Sequence, residues 1–329
     1  MKFFRKTRNG PHRTLTFFGL INIRYTKKGY PTHAKTSLGM RTIHDKQEGS
    51  DVILNLLRTG RPCLVSRFGT TEMELVDDYV RGRFATWRIF PKKLTQRMRN
   101  FSGFFPLRRD LLVRFAEESL AIFKEIDVLG MRIKPYDHGF WEKEDFFASR
   151  YCPDASLIHL HQIAPYDVRA PWMRYLHGKK VLVVHPFAET IRQQYAKRKL
   201  LFKDADNFLP EFDLKTLRAV QSLGAAGDVP FATWFEALDA MRRQIDAEDF
   251  DIALIGAGAY GMFLGAYVKR KGKQAIHVGG ALQLFFGIRG RRWDSSDTIS
   301  ALYNEHWASP SDAERFPAQG NGDDGRQYW

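Results

Sequence analysis

The sequence predicts an α/β protein built on a Rossmann-like open parallel sheet with helices on both faces, and three observations predict it. Short β-branched apolar runs recur along the chain, without the polar alternation of a strand that has one face in water. Amphipathic stretches of helical length separate them. Several of the runs end in glycine-marked turns, most clearly over residues 251–290, which read strand, glycine turn, helix, strand, glycine turn. In such a sheet a ligand lies beyond the carboxyl ends of the strands. There glycine lets the backbone come close, and the next helix offers unpaired N–H groups to an anion. A nucleotide diphosphate suits such a rim.

Residues 1–44 hold ten Lys or Arg and no Asp or Glu, in a chain of 329 residues with net charge +14. This basic N-terminal extension reads as a solvated arm or as a peripheral contact with an anionic membrane surface. No helix-turn-helix, zinc-finger or RNA-binding signature accompanies the charge, so nucleic acid is not expected as a partner. Residues 45–307 carry the α/β pattern, and residues 308–329, rich in Gly, Asp and Pro, read as a loose tail.

Within the body, residues 42–58 read as a helix with an apolar side, stopped by Gly60 and Pro62. Residues 63–66 form a short buried strand, and the following RFGTTEMELVDDYV reads as a turn into a helix capped by Thr70 or Thr71. Residues 87–123 read as helical, with 126–133 and 139–141 as strand and edge elements. The run KVLVV at 180–184 is a strand covered on both faces, turned by His185-Pro186-Phe187 into a helix over 188–198. Residues 217–221 read as a strand and 234–247 as a helix, before the βαβ unit.

With 44% hydrophobic and 27% charged residues the chain reads as soluble and globular. Cys63 and Cys152 are its two cysteines, too few for a disulfide framework or a cysteine-rich metal site, and a cytoplasmic home is the simplest. No apolar run approaches the ~18 residues of a membrane span.

Four turns are expected to converge at one sheet edge, and each offers chemistry. GAGAYG, with Gly256, Gly258, Tyr260 and Gly261, has dinucleotide-fold spacing. The next strand, however, ends in Ile276-His277-Val278, without the carboxylate that would hold a ribose. His277, Gly279, Gly280 and Gln283 form a second turn able to face a phosphate or sugar, or simply a hinge. Arg289, Arg291 and Arg292 follow, able to fork onto phosphate oxygens and offset charge on a departing diphosphate, or to be a solvated face. Arg67 and Glu72 flank the first turn. Glu72 reads as a divalent-metal ligand, as a catalytic base, or as a carboxylate placed there for the helix dipole alone. His185 is the second catalytic candidate, against a hydrogen-bonded spacer. No HExxH, Walker A, GxSxG or CxxC pattern is present.

On these residues the chain resembles a known family. VSRFGTTEMEL is similar to the Arg-x-Gly-x-x-Glu segment of GT-D-fold glycosyltransferases, bacterial enzymes that move sugars from nucleotide-sugar donors. The HPFAETI, GAGAYG, HVGGALQLFFGIRGRRW and YNEHW blocks resemble a related bacterial group, and the likeness spans about residues 45–307. It implies a GT-D-like, Rossmann-like sheet, a UDP-sugar type donor and a divalent cation (Mn²⁺ or Mg²⁺) held by an Asp-x-Glu pair; a glycan or lipid-linked acceptor, met at the cytoplasmic face of the membrane, is the expected partner. Arg67, Gly69 and Glu72 match the motif, whereas its Asp position is Thr70 here, a weak neutral ligand beside a carboxylate. The expected function is therefore glycosyl transfer to a cell-surface or capsular glycan. The alternatives are a non-catalytic nucleotide-sugar-binding protein of the same fold and an NAD(P)-dependent oxidoreductase.

Overall fold

Eight short strands form one all-parallel sheet: β4 (Ile43–His44), β5 (Cys63–Arg67), β6 (Val128–Met131), β7 (Ser156–His159), β8 (Lys180–His185), β9 (Asp213–Arg218), β10 (Ile252–Ile255) and β11 (Gln274–His277). Their order across the sheet is β4-β7-β6-β5-β11-β10-β8-β9. Three further strands, β1 (Phe4–Asn9), β2 (His12–Phe17) and β3 (Ile21–Thr26), pair antiparallel as a separate sheet in the basic arm. The computed structural model describes residues 4–9, 12–17, 21–26, 41–82, 90–132, 140–223 and 229–315.

The apolar runs form strands because they are covered on both sides, and their side chains alternate between two cores. Leu64, Leu129, Leu182, Val184, Ala253, Ile255 and Ala275 point into one. Cys63, Val65, Val128, Val181, Val183, Ile252, Leu254 and Ile276 point into the other. The first core is closed by α2 (Thr70–Gly82), α4 (Arg109–Phe123), α8 (Trp234–Asp246) and α9 (Tyr260–Arg270), together with α3 (Lys92–Ser102) and α5 (Trp141–Tyr151). The second is closed by α1 (Lys46–Arg58), α6 (Ala188–Tyr195), α7 (Ala205–Phe208) and α10 (Leu282–Phe285). Two more short helices follow, α11 (Arg291–Asp294) and α12 (Asp297–Ser300). Among the described residues, no helix is long and apolar enough to cross a membrane.

Several predicted elements shift. Residues 43–44 pair as edge strand β4, and α1 begins only at Lys46, behind Asp45, whose side chain accepts from the Lys46 N–H. The helical stretch before Phe123 is two helices, broken where Gly103 takes a left-handed φ of 62°. Trp141 opens a helix instead of an edge strand, and Gly139 lies outside the described residues. The strand read at 217–221 sits earlier, at Asp213–Arg218, where it follows the register of β8 from Lys180↔Asp213 to His185↔Arg218. Its polar sequence DLKTLR hid it, as befits an edge strand. Residues 308–315 are tied down rather than loose: Glu314 is buried and accepts from the N–H groups of Glu189 (2.7 Å) and Thr190 (3.0 Å) at the start of α6.

Candidate functional site

Strand order decides where the site lies. After β5 the chain passes to α2 over one core, whereas after β11 it passes to α10 over the other, so the connections that leave these two neighbouring strands part to opposite faces of the sheet. Connections that part in this way leave a crevice at the carboxyl ends of the two strands. A cleft of about 360 Å³ opens there, lined by Arg67, Gly69, Thr70, Thr71, Glu72, His277, Gly279, Gly280, Gly258, Ala259, Met262 and Arg292, with Arg97, Asn100 and Phe101 of α3 along its side. A smaller hollow of about 70 Å³ adjoins it, lined by His185, Gly256, Tyr260, Ser102 and Ser222 among others, and shares Gly258, Ala259, Gly280 and Phe101 with the first. The four predicted turns thus meet at one rim.

Arg67 sets the electrostatics. It ends β5, and its guanidinium lies against Gly279, where an added Cβ would come 3.1 Å from Nη1. Among the described residues it makes one long hydrogen bond, Nη2 to the Phe68 carbonyl at 3.4 Å, and the enclosed Nε has no partner. Burial, then the nearby Arg132, pull its pKa down to about 10. A guanidinium so poorly satisfied at a cleft floor is a place for an anion.

Glu72 stands in the first turn of α2, and its carboxylate folds back over Gly69 so closely that a Cβ there would lie 2.0 Å from Oε2. Among the described residues the Glu72 carboxylate has no hydrogen bond or ion pair, so it faces the cleft available for chemistry.

The two histidines are neutral. His185 Nδ1 accepts from the Phe187 N–H at 3.1 Å, and burial pushes the ring's pKa down to about 3. In that state the proton sits on Nε2, so His185 offers the hollow a donor rather than a proton acceptor. His277 Nδ1 and Ser66 Oγ are 3.1 Å apart, and burial, with Arg67 nearby, also takes His277 to about 3.

The glycines divide by role. Gly258 adopts φ +53° with open space where a side chain would go, and Gly279 adopts φ +74° against Arg67. Gly256 and Gly261 instead admit histidines: a Cβ would meet His185 Cδ2 at 2.6 Å and His277 Cδ2 at 2.4 Å. Tyr260 lines the hollow, but its ring stacks on Trp234 (4.4 Å, 5°) and its hydroxyl lies 3.1 Å from Ser222 Oγ. Gln283 is fully buried and donates to the Ile288 and Arg289 carbonyls, bracing the loop before α11. The arginine cluster splits, with Arg292 in the cleft and Arg289 and Arg291 on a separate hollow beside Tyr303.

Arg132, just beyond β6, was not singled out from the sequence. Its Nη2 donates to Thr70 Oγ1 at 3.2 Å. Its backbone N–H (2.7 Å) and its Nη1 both bind the buried carboxylate of Glu144. A lone basic residue directly after an apolar run, as at Arg67, was the available signal. Arg97, Asn100 and Phe101 gave none, because tertiary packing alone brings α3 to the rim.

No family model and no curated protein matches the chain. Among solved structures it is similar to domain of unknown function 1792 in selenomethionine form, at 16% identity over 86% of this chain and 95% of that one, with a TM-score of 0.47. It is similar to the same domain described as having a distinct glycosyltransferase fold, at 16% identity over 85% and 95%, TM-score 0.46. A third is a glycosyltransferase of that domain family from Streptococcus sanguinis, at 15% identity over 83% and 96%, TM-score 0.37. The fold assignment rests on the strand order above.

Proposed function

We propose that the chain is a glycosyltransferase whose cleft binds the diphosphate of a nucleotide-sugar donor. The observation that carries this is Arg67, an under-bonded guanidinium on the floor of the crevice at the carboxyl ends of β5 and β11. Gly258 and Ala259, just before α9, bring bare backbone to the same cleft, and Arg292 adds a second cation.

In the reaction, an acceptor hydroxyl gives its proton to the Glu72 carboxylate as its oxygen bonds to the anomeric carbon of the donor. The bond from that carbon to the diphosphate oxygen breaks, and the electron pair leaves with the nucleoside diphosphate. Arg67 and Arg292 stabilise the charge that grows there. His185 Nε2–H, in the adjoining hollow, is placed to donate to a sugar hydroxyl. The acceptor in this reading is a cell-surface or capsular glycan, reached from the cytoplasmic face of the membrane with help from the basic arm.

A nicotinamide enzyme is less well supported. The end of β11 offers buried His277, committed to Ser66, where a ribose-binding carboxylate would stand. The deciding experiment is a thermal-shift screen with UDP-, GDP- and CDP-sugars, NAD and NADP, followed by donor hydrolysis. The proposal expects stabilisation by one sugar nucleotide, with Glu72→Gln retaining that shift and losing hydrolysis. Stabilisation by NAD alone would overturn it. Unchanged hydrolysis in Glu72→Gln would remove Glu72 as base.

A further inference from the structure

The family resemblance implies a divalent cation, and the cleft's donor set does not fit one. Hard cations take six or more oxygen ligands, carboxylates foremost. Among the described residues no group of three or more His, Cys, Asp or Glu could hold a metal ion. Among the described residues the cleft holds one carboxylate, Glu72, beside the neutral side-chain oxygens of Thr70, Thr71 and Asn100. The Thr70 hydroxyl already accepts from Arg132 Nη2 at 3.2 Å, so a guanidinium occupies the ground beside it.

Arg132 is fixed there from several sides. Glu144, 1% exposed, binds both its backbone N–H and its Nη1. The guanidinium carbon also lies 4.6 Å from the centre of the Phe140 ring. Arg67 and Arg292 line the cleft, and Arg67 feels the charges of Arg132 and Arg292, offset in part by those of Glu144 and Glu72, so three guanidinium groups face two carboxylates there. Positive groups converge where a metal would have to bind, which repels a dication and suits a diphosphate.

We infer that this chain binds its diphosphate without a metal ion, the countercharge coming from Arg67 and Arg292 while Arg132 holds the Thr70 position that a cation-binding carboxylate would fill. This rests on the diphosphate reading above. Unlike that reading, it concerns what neutralises the ligand rather than which ligand enters.

Isothermal titration calorimetry on the full chain tests it, with UDP and inorganic pyrophosphate as probes, in EDTA and in Mn²⁺. The expected result is UDP binding in EDTA within about 3-fold of that in Mn²⁺, with Arg292→Ala weakening it by about 10-fold or more in EDTA. Arg292 is exposed, so that variant should fold. Free Mn²⁺, followed by its electron paramagnetic resonance signal, should not fall when protein is added to UDP beyond the loss UDP causes alone. The combined variant Thr70→Asp, Arg132→Gln, Glu144→Gln should make UDP binding at least 10-fold tighter in Mn²⁺ than in EDTA. If it fails to fold, the parent and Arg292→Ala titrations still decide. UDP binding only in Mn²⁺ overturns metal independence and leaves the transferase reading standing. Pyrophosphate binding in EDTA without UDP binding supports the metal-free anion site and removes the nucleotide reading. Binding of neither probe under any condition overturns both.

Discussion

Two glycines of one motif should fail in opposite ways when each becomes alanine. At Gly261 an added Cβ would sit 2.4 Å from His277 Cδ2 and 2.5 Å from Nε2, on a buried ring tethered to Ser66. Overpacking of this kind costs about 1–3 kcal/mol. Pushing the ring away also weakens a buried hydrogen bond worth about 1 kcal/mol. Alanine returns roughly 0.5–1 kcal/mol of helix propensity in α9, so the net loss is about 1–3.5 kcal/mol. For a domain of this size that lowers Tm by roughly 2–14 °C. Gly258 has φ +53° and nothing within 4 Å of the added carbon, so alanine there pays only about 1–2 kcal/mol for a left-handed backbone. Its methyl group would, however, stand in the cleft proposed to take the diphosphate. Calorimetric melting and UDP titration of both variants separate the effects. Gly261→Ala should melt several degrees lower and, where folded, bind; Gly258→Ala should melt closer to the parent and bind at least 10-fold more weakly. If Gly261→Ala melts with the parent, or Gly258→Ala binds like it, the division of roles is wrong.

The remaining tests are shorter. His185 and His277 are held near pKa 3 when folded and return toward ~6.5 when unfolded. The unfolded state therefore binds more protons below pH 6.5, and stability present above that pH is lost as pH falls toward 3, by roughly 1–2 kcal/mol per histidine at pH 5. Asp145, which burial pushes up to about 6, offsets part of this. Melting temperatures from pH 7.5 to 5 should drop, and a flat profile would contradict the buried neutral rings. Glu314→Ala removes acceptors for two α6 N–H groups and for the Thr190 and Ser311 hydroxyls, and should cost about 1–3 kcal/mol in urea unfolding. Parent-like stability would show that residues 308–315 do not brace that helix. Arg67→Ala should abolish UDP binding in calorimetry while leaving a folded protein, since the arginine has little bonding to lose; retained binding would move the anion elsewhere.

Much of the fold was legible because burial on both faces writes itself into short apolar runs such as KVLVV and IALI. Where that signal fades the reading slipped. The edge strand β9 is largely polar, β4 is two residues long, and β7 hides before a turn of 3-10 helix. For the rim, turns after strands located Arg67, Glu72, His185 and His277, since chain direction alone puts them at one edge. Their finer duties were not legible. Whether a glycine faces a ligand or a neighbouring ring depends on His185 and His277, which are distant in sequence from Gly256 and close to Gly261 only through the fold. Arg289 and Arg292 look equivalent in the string, and the start of α11 sends them to different hollows. Arg132 meets Thr70 across 62 residues, a pairing no local pattern encodes.

Strand β11 joins the two halves of the sheet, with β5 on one side and β10 on the other, and it also carries His277 and the turn to Gly280. During synthesis about 200 residues separate β5 from β11, roughly 10–40 s at ~5–20 residues per second. For that interval the nascent chain holds an apolar strand edge with no neighbour, a surface for chaperones or for mispairing. Among the described residues β11 is the last strand of this sheet to leave the ribosome, so it closes the sheet and brings His277 and Gly279 against Arg67 in the same event, and a chain still short of it lacks one wall of the cleft.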